Sequence, residues 1–301
     1  MSRPPDLDQY WQRVDAELAA LPAAPEEEAL PLRSTDGADC YTVRLTSIGP
    51  YRLFAYLSIP RGEGPFPALY QVPRLMSVVE VLTQGWPQAR RRRYVNFSLA
   101  FRGQRNADQP YAAAFPGLMT DGIEEPEGYV FRSIVADVVR GLEYLVSRPE
   151  VDPTRVVAVG ANDLALLLAA LRPQVTRVTS SVGPFYDAQA ATAATEEYPL
   201  EEINDYLRAA PERSEAVFRT LNYFDPRHLA ERIKATCLLW SGPAGSAHGP
   251  EWLQPLVAAV PGRVEVQASF QSQYRDGKFL EDWITRQLGF SEPIYPEAWL
   301  R

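Results

Sequence analysis

The chain has 301 residues, 46% apolar and 23% charged, a balance that suits a packed core and excludes intrinsic disorder. Acidic residues outnumber basic ones, 38 against 30, and the resulting net charge of −8 disfavours nucleic acid or an anionic membrane as a partner. Only Cys40, Cys237, His228 and His248 are available as soft or imidazole ligands, which excludes a disulfide framework, a Cys-rich metal site and a three-His metal site.

Residues 1–13 contain no apolar core of a signal peptide. The longest wholly apolar run, residues 164–171, is far too short to span a bilayer. A cytoplasmic chain with reduced thiols is the expectation. A helical extension over about 5–34 precedes two β-rich runs, 41–47 and 52–59, which are joined by Ile48-Gly49-Pro50-Tyr51 and predicted to pair antiparallel. Six more short apolar runs follow, at 68–72, 94–100, 156–160, 177–182, 235–240 and 263–268. Helical periodicity separates most of them. It is clearest over 133–147, where Ile134, Val135, Val138, Val139, Leu142, Leu145 and Val146 share one face. The last helix is predicted over roughly 278–288.

Strands that alternate with helices imply an α/β protein with a mostly parallel sheet covered on both faces. Eight strands in this programme indicate an α/β-hydrolase fold in a single domain over 1–301. Residues 183–232 carry no strand signal and read as a helical insertion over the carboxyl ends of the strands, where ligand sites of such sheets lie.

Several phrases are specific. Phe101-Arg102-Gly103-Gln104 follows a strand. Pro116-Gly117-Leu118-Met119-Thr120-Asp121-Gly122-Ile123 precedes Tyr129-Val130-Phe131-Arg132. Ser147-Arg148-Pro149-Glu150-Val151-Asp152-Pro153 ends the long helix, and Pro184-Phe185 and residues 218–225 bracket the insertion. Together with Asp8-Gln9-Tyr10-Trp11, these phrases resemble the acetyl xylan esterase / cephalosporin C deacetylase family over about residues 6–289. The resemblance implies a Ser-His-Asp deacetylase that needs no metal or cofactor and that commonly assembles as a hexamer.

The working parts of that family are replaced here. Gly160-Ala161-Asn162-Asp163-Leu164 stands where a small-x-nucleophile-x-small elbow belongs, so the serine position is Asn162, and Leu164 replaces a small residue. The acid position falls on Gly245, in a loop without a carboxylate before Glu251. The base position falls on about Ser272, followed by Gln273, and neither histidine is nearby in sequence. The oxyanion turn reads Pro73-Arg74-Leu75, with Arg74 in place of a glycine. Loss of any one triad member costs orders of magnitude in rate. The expectation is a catalytically inactive member, either an assembly partner for itself or for an active paralogue, or a binder of a small molecule.

Two other readings stand beside it. Shifted by one, Ala161-Asn162-Asp163-Leu164-Ala165 offers Asp163 as a nucleophile, for which His248 is the available water-activating base. Otherwise Asp163 pairs with Arg74 or caps a helix. A residual deacetylase would need an unrecognised serine such as Ser246 or Ser272. Arg74, Asn162, Asp163, Ser272 and Gln273 form either a ligand pocket or a self-satisfied vestigial cleft.

The four arginines from Arg90 to Arg93 read as the solvated end of a helix, where cations suit the dipole. Arg102 reads as a buried architectural residue, His228 as a surface or capping group, and Cys237 as a core residue. The tail 291–301, with Pro293, Tyr295, Pro296 and Trp299, is expected to dock.

Overall fold

The computed structural model describes residues 2–75, 79, 87–104, 113–246 and 248–295. Pro296 and Trp299 of the expected docking tail lie outside the described residues.

Nine strands form one sheet among the described residues: β1 Glu26–Ala29, β2 Ala38–Ser47, β3 Tyr51–Pro60, β4 Phe66–Gln71, β5 Val95–Ala100, β6 Val151–Val159, β7 Arg177–Ser181, β8 Thr236–Ser241 and β9 Val264–Ala268. Their spatial order is β1-β2-β3-β5-β4-β6-β7-β8-β9. The first three strands pair antiparallel, and β3 joins β5 antiparallel. From β5 to β9 every pairing is parallel. The mostly parallel α/β architecture, the antiparallel opening pair and the helical insertion are as the sequence indicated.

Several features differ from expectation, among them the last helix, which begins at Gln273 rather than near 278. The N-terminal extension is not helical throughout: α1, Leu7–Ala19, is followed by β1. That strand reads Glu-Glu-Glu-Ala and is exposed along its length, so no apolar alternation marks it. Its backbone ladder to β2 holds it, and its charges protect the sheet edge. Strand β6 starts at Val151, five residues early, because Asp152 and Pro153 are accommodated at a register shift opposite β4. The arginine run ends a helix, as expected, but within it only Arg92 is exposed. It ends helix α2, Pro87–Arg93, and folds inward. Arg91 is buried and donates to Ser58 Oγ (2.9 Å) and the Arg33 carbonyl (2.6 Å). Arg90 pairs with the buried Glu281 at 3.2 Å, and Arg93 holds the Glu292 carbonyl at 2.7 Å. These contacts fasten the described part of the tail.

One face of the sheet is covered by α1, by α3, Val130–Val146, and by α4, Asp163–Leu171. Helix α3 contributes the stripe read from its periodicity, including Ile134, Val138, Leu142 and Leu145, all buried. Helix α1 adds Leu7, Tyr10, Trp11, Val14 and Leu18, with Trp11 edge-on to Phe224 at 5.5 Å. The other face packs Leu69, Val157 and Leu238 against Trp283 and Ile284 of α9, Gln273–Gln287. The insertion folds into three short helices, α5 Ala188–Ala194, α6 Leu200–Ala209 and α7 Ser214–Leu221. A further short helix, α8 Gln254–Ala259, lies between β8 and β9.

Arg102 is architectural, as expected. Its guanidinium grips Asp137 of α3 with two bonds, 2.8 Å from Nε and 2.7 Å from Nη2. It also donates to the Ile48 carbonyl at 2.9 Å and lies 4.6 Å over the Tyr51 ring. This ion pair ties the end of β5 to the β2–β3 turn and to the central helix. His228 donates through Nε2 to Asn222 Oδ1 at 2.7 Å, and burial holds its pKa below the usual value. Cys40 and Cys237 are free and buried, and burial pushes the Cys237 thiol up to about 12.

Candidate functional site

Strand β6 ends against the start of α4 at very close range. A Cβ on Gly160 would sit 2.4 Å from that of Ala165, so only glycine fits at this corner. Asn162 follows as the N-cap of α4. Its Oδ1 accepts from the Leu164 amide at 2.9 Å, which satisfies one of the unpaired donors of the first turn. Its Nδ2 donates to the Pro73 carbonyl at 3.3 Å. The backbone at Asn162 is extended, with φ −163° and ψ 179°, a conformation open to any residue. The strained turn that exposes a nucleophile is therefore relaxed here, and the Asn162 side chain is engaged on both of its polar ends.

Asp163, fully buried, neither pairs with Arg74 nor caps its own helix. Its Oδ1 accepts from the Gly183 amide and its Oδ2 from the Phe185 amide, each at 2.8 Å. It thus pins the chain where β7 enters the insertion. Burial raises its pKa to about 7, against the opposing effect of those amide donors. A carboxylate held this way has both oxygens turned to backbone, not to a substrate.

The Pro73 and Arg74 carbonyls are engaged within the fold: Pro73 accepts from Asn162, and Arg74 from Gln104 Nε2 at 3.1 Å. The Arg74 side chain is exposed and Leu75 is half-buried. Beside them remains a void of about 30 Å³, room for about one water molecule.

The acid position, Gly245, is the tip of an exposed turn. Its φ of +80° suits glycine, and nothing lies within 4 Å of where a Cβ would stand. Ser246 donates its hydroxyl to the Pro243 carbonyl at 2.7 Å. At the base position, Ser272 is the N-cap of α9, accepting from the Arg275 amide at 3.4 Å, and Gln273 is exposed. Each position at which the sequence reading placed a triad member therefore holds a local structural device: a helix cap, a turn glycine and a second helix cap.

Of the expected pocket residues, His248 alone lines the large cavity of this region. That cavity, about 540 Å³, opens over the ends of β7, β8 and β9, beneath the insertion. Asn162, Asp163, Ser272 and Gln273 do not line it, so the structure does not gather them with His248 into one pocket. Its walls include Pro184, Tyr186, Trp240, Trp252, Ser269 and Asp276. Trp252 stands edge-on to His248 (5.7 Å, 86°) and to Tyr186 (5.6 Å, 61°). Asp276 accepts from Ser269 Oγ at 2.7 Å and from the Phe270 amide at 2.8 Å. The sequence reading overlooked these groups. The available signals were Trp240, at the carboxyl end of an apolar strand run, and Asp276, an acidic residue in a helix's first turn next to the ligand edge of the sheet.

Known proteins bear on this geometry. An acetyl xylan esterase (AXE1) family model matches residues 1–247. The acetyl esterase Axe7A of Xylanibacter ruminicola is 23% identical over 186 residues, a segment that is 58% of this chain and 42% of that protein. The chain thus spans less than half the length of that curated relative. Among solved structures, the acetyl xylan esterase of Paenibacillus sp. R4 superposes with a TM-score of 0.81 at 21% identity, covering 95% of this chain and 96% of that one. Acetyl xylan esterase 1 of Thermoanaerobacterium sp. JW/SL YS485 gives 0.83 at 22% identity, covering 95% and 94%. The sheet order, the helical insertion and the family match together place the chain in the acetyl xylan esterase family, within the α/β-hydrolase superfamily.

Proposed function

We propose that this chain is a member of the acetyl xylan esterase family that no longer hydrolyses esters and that binds a small molecule without turning it over. The observation that carries the reading is Asn162. A side-chain amide stands at the nucleophile position, on an unstrained backbone, committed to the Leu164 amide and the Pro73 carbonyl. An amide forms no acyl-enzyme, and the groups at the acid and base positions, Gly245 and Ser272, transfer no proton at neutral pH. Asp163 is poorly placed as a substitute nucleophile because both its oxygens accept backbone amides.

The 540 Å³ cavity supports the binding half of the proposal, since its size is that of a small-molecule site. p-Nitrophenyl acetate and acetylated xylo-oligosaccharides test the catalytic half. The expected result is hydrolysis no faster than background. A kcat of about 1 s⁻¹ or more, within the range of ordinary enzymes, overturns it. Labelling with a fluorophosphonate is expected to fail as well.

A further inference from the structure

We infer that the cavity over β7–β9 is a site for a small organic monocation, an ammonium group carried on an apolar body. The inference rests on the non-catalytic reading in one respect, that the ligand is held rather than turned over. The walls supply aromatic faces. Trp252 meets Tyr186 and His248 edge-to-face, so the three rings form angled walls rather than one flat surface. Trp240 lines the cavity from β8. The polar edges of two of these rings are already used inside the protein. Trp240 Nε1 donates to Thr179 Oγ1 at 3.1 Å, and the Tyr186 hydroxyl to the Trp252 carbonyl at 2.6 Å. What they offer a ligand is therefore mainly their π systems, which attract cations.

The charge balance points the same way. Asp276 carries the one full formal charge among the described residues lining the cavity, and it is negative. Its two oxygens each accept one hydrogen bond and each keep capacity for another donor. No lysine or arginine is among those lining residues. Arg227 stacks 5.1 Å from the Tyr186 ring but is bound to Asp225 and Asp187. An anionic ligand would find a carboxylate and, among the described lining residues, no lysine or arginine. A neutral one would leave the carboxylate unused.

Isothermal titration calorimetry with choline, its neutral isostere 3,3-dimethylbutan-1-ol and the anion 3,3-dimethylbutanoate tests this on the wild-type protein. Choline is expected to bind at least about fivefold more tightly than the alcohol, with no binding of the carboxylate. Asp276→Asn is expected to reduce that preference, and Trp252→Leu to weaken choline binding about tenfold. Equal or tighter binding of the alcohol overturns the proposal, as does the absence of choline binding at millimolar concentration. Should either variant unfold, the wild-type comparison still decides. Ester hydrolysis alongside an intact cation preference would overturn only the non-catalytic reading.

Discussion

Replacing Asn162 by alanine tests whether the residue at the proposed nucleophile position carries structural weight as a helix cap. The substitution removes the acceptor for the Leu164 amide, 2.9 Å away and out of contact with water, and a longer 3.3 Å bond to Pro73. Loss of a cap side chain costs about 1 kcal/mol, ranging to about 2 where the orphaned amide is buried. The weaker bond to Pro73 adds about 0.5 kcal/mol or less. The expected total is about 2 kcal/mol, read as a lower urea midpoint at unchanged slope. Asn162→Ser keeps an oxygen able to cap and should lose less than half as much. It should also remain inactive on p-nitrophenyl acetate, because no base stands at Ser272. An alanine variant within about 0.3 kcal/mol of wild type would refute the capping argument. A serine variant that turns over ester at about 1 s⁻¹ would refute the claim that base and acid are gone too.

Three further outcomes follow from the same geometry. Arg102→Ala leaves Asp137 buried without its partner and is expected to cost about 3–5 kcal/mol in urea denaturation. Gly160→Ala forces a methyl to within 2.4 Å of Ala165 Cβ, and an expected loss of about 1–3 kcal/mol would appear as a lower Tm. Asp163 has a folded pKa of about 7, above its unfolded value, so the folded state binds the extra proton between the two. Its contribution to stability is therefore fully present below about pH 4 and is lost as pH rises toward 7. The advantage of wild type over Asp163→Asn should shrink by up to about 4 kcal/mol across that window. A difference that grows with pH contradicts the assigned direction.

The parallel half of the sheet was legible because buried strands such as β5 and β8 are short apolar runs, and helix α3 because its stripe repeats at 3.6 residues. Strand β1 was not, since an exposed edge needs no apolar side chain to make its ladder. The arginines of α2 misled for a related reason. Composition reports charge, whereas the partners that draw Arg90, Arg91 and Arg93 inward lie in distant segments: Glu281, Ser58 and Glu292. At the site, the identities at 162, 245 and 272 were readable, but not what they do instead. Capping by Asn162 depends on a backbone that has relaxed, and the partners of Asp163 lie twenty residues away. The cavity was illegible because it is assembled from residues within three stretches, 181–200, 240–253 and 269–276, that lie far apart in the sequence.

The contrast between what changed and what stayed follows from where each group sits. A catalytic triad occupies loop ends whose side chains contribute little to the core, so their replacement is tolerated wherever the new residue meets the local backbone's needs. Asn162 and Ser272 do so as caps, and Gly245 as a left-handed turn residue. Gly160, Arg102 and Asp137 are different. They sit where helix, strand and turn cross at van der Waals distance or where a charge is sealed from water, and no neighbour can take their place. Under the proposed reading, the sheet's ligand edge keeps its shape while its chemistry is exchanged. Asp163 illustrates how: it fixes Gly183 and Phe185, and Gly183 and Pro184 form part of the cavity wall. The residue that follows Asn162 thus helps hold open the neighbouring cavity.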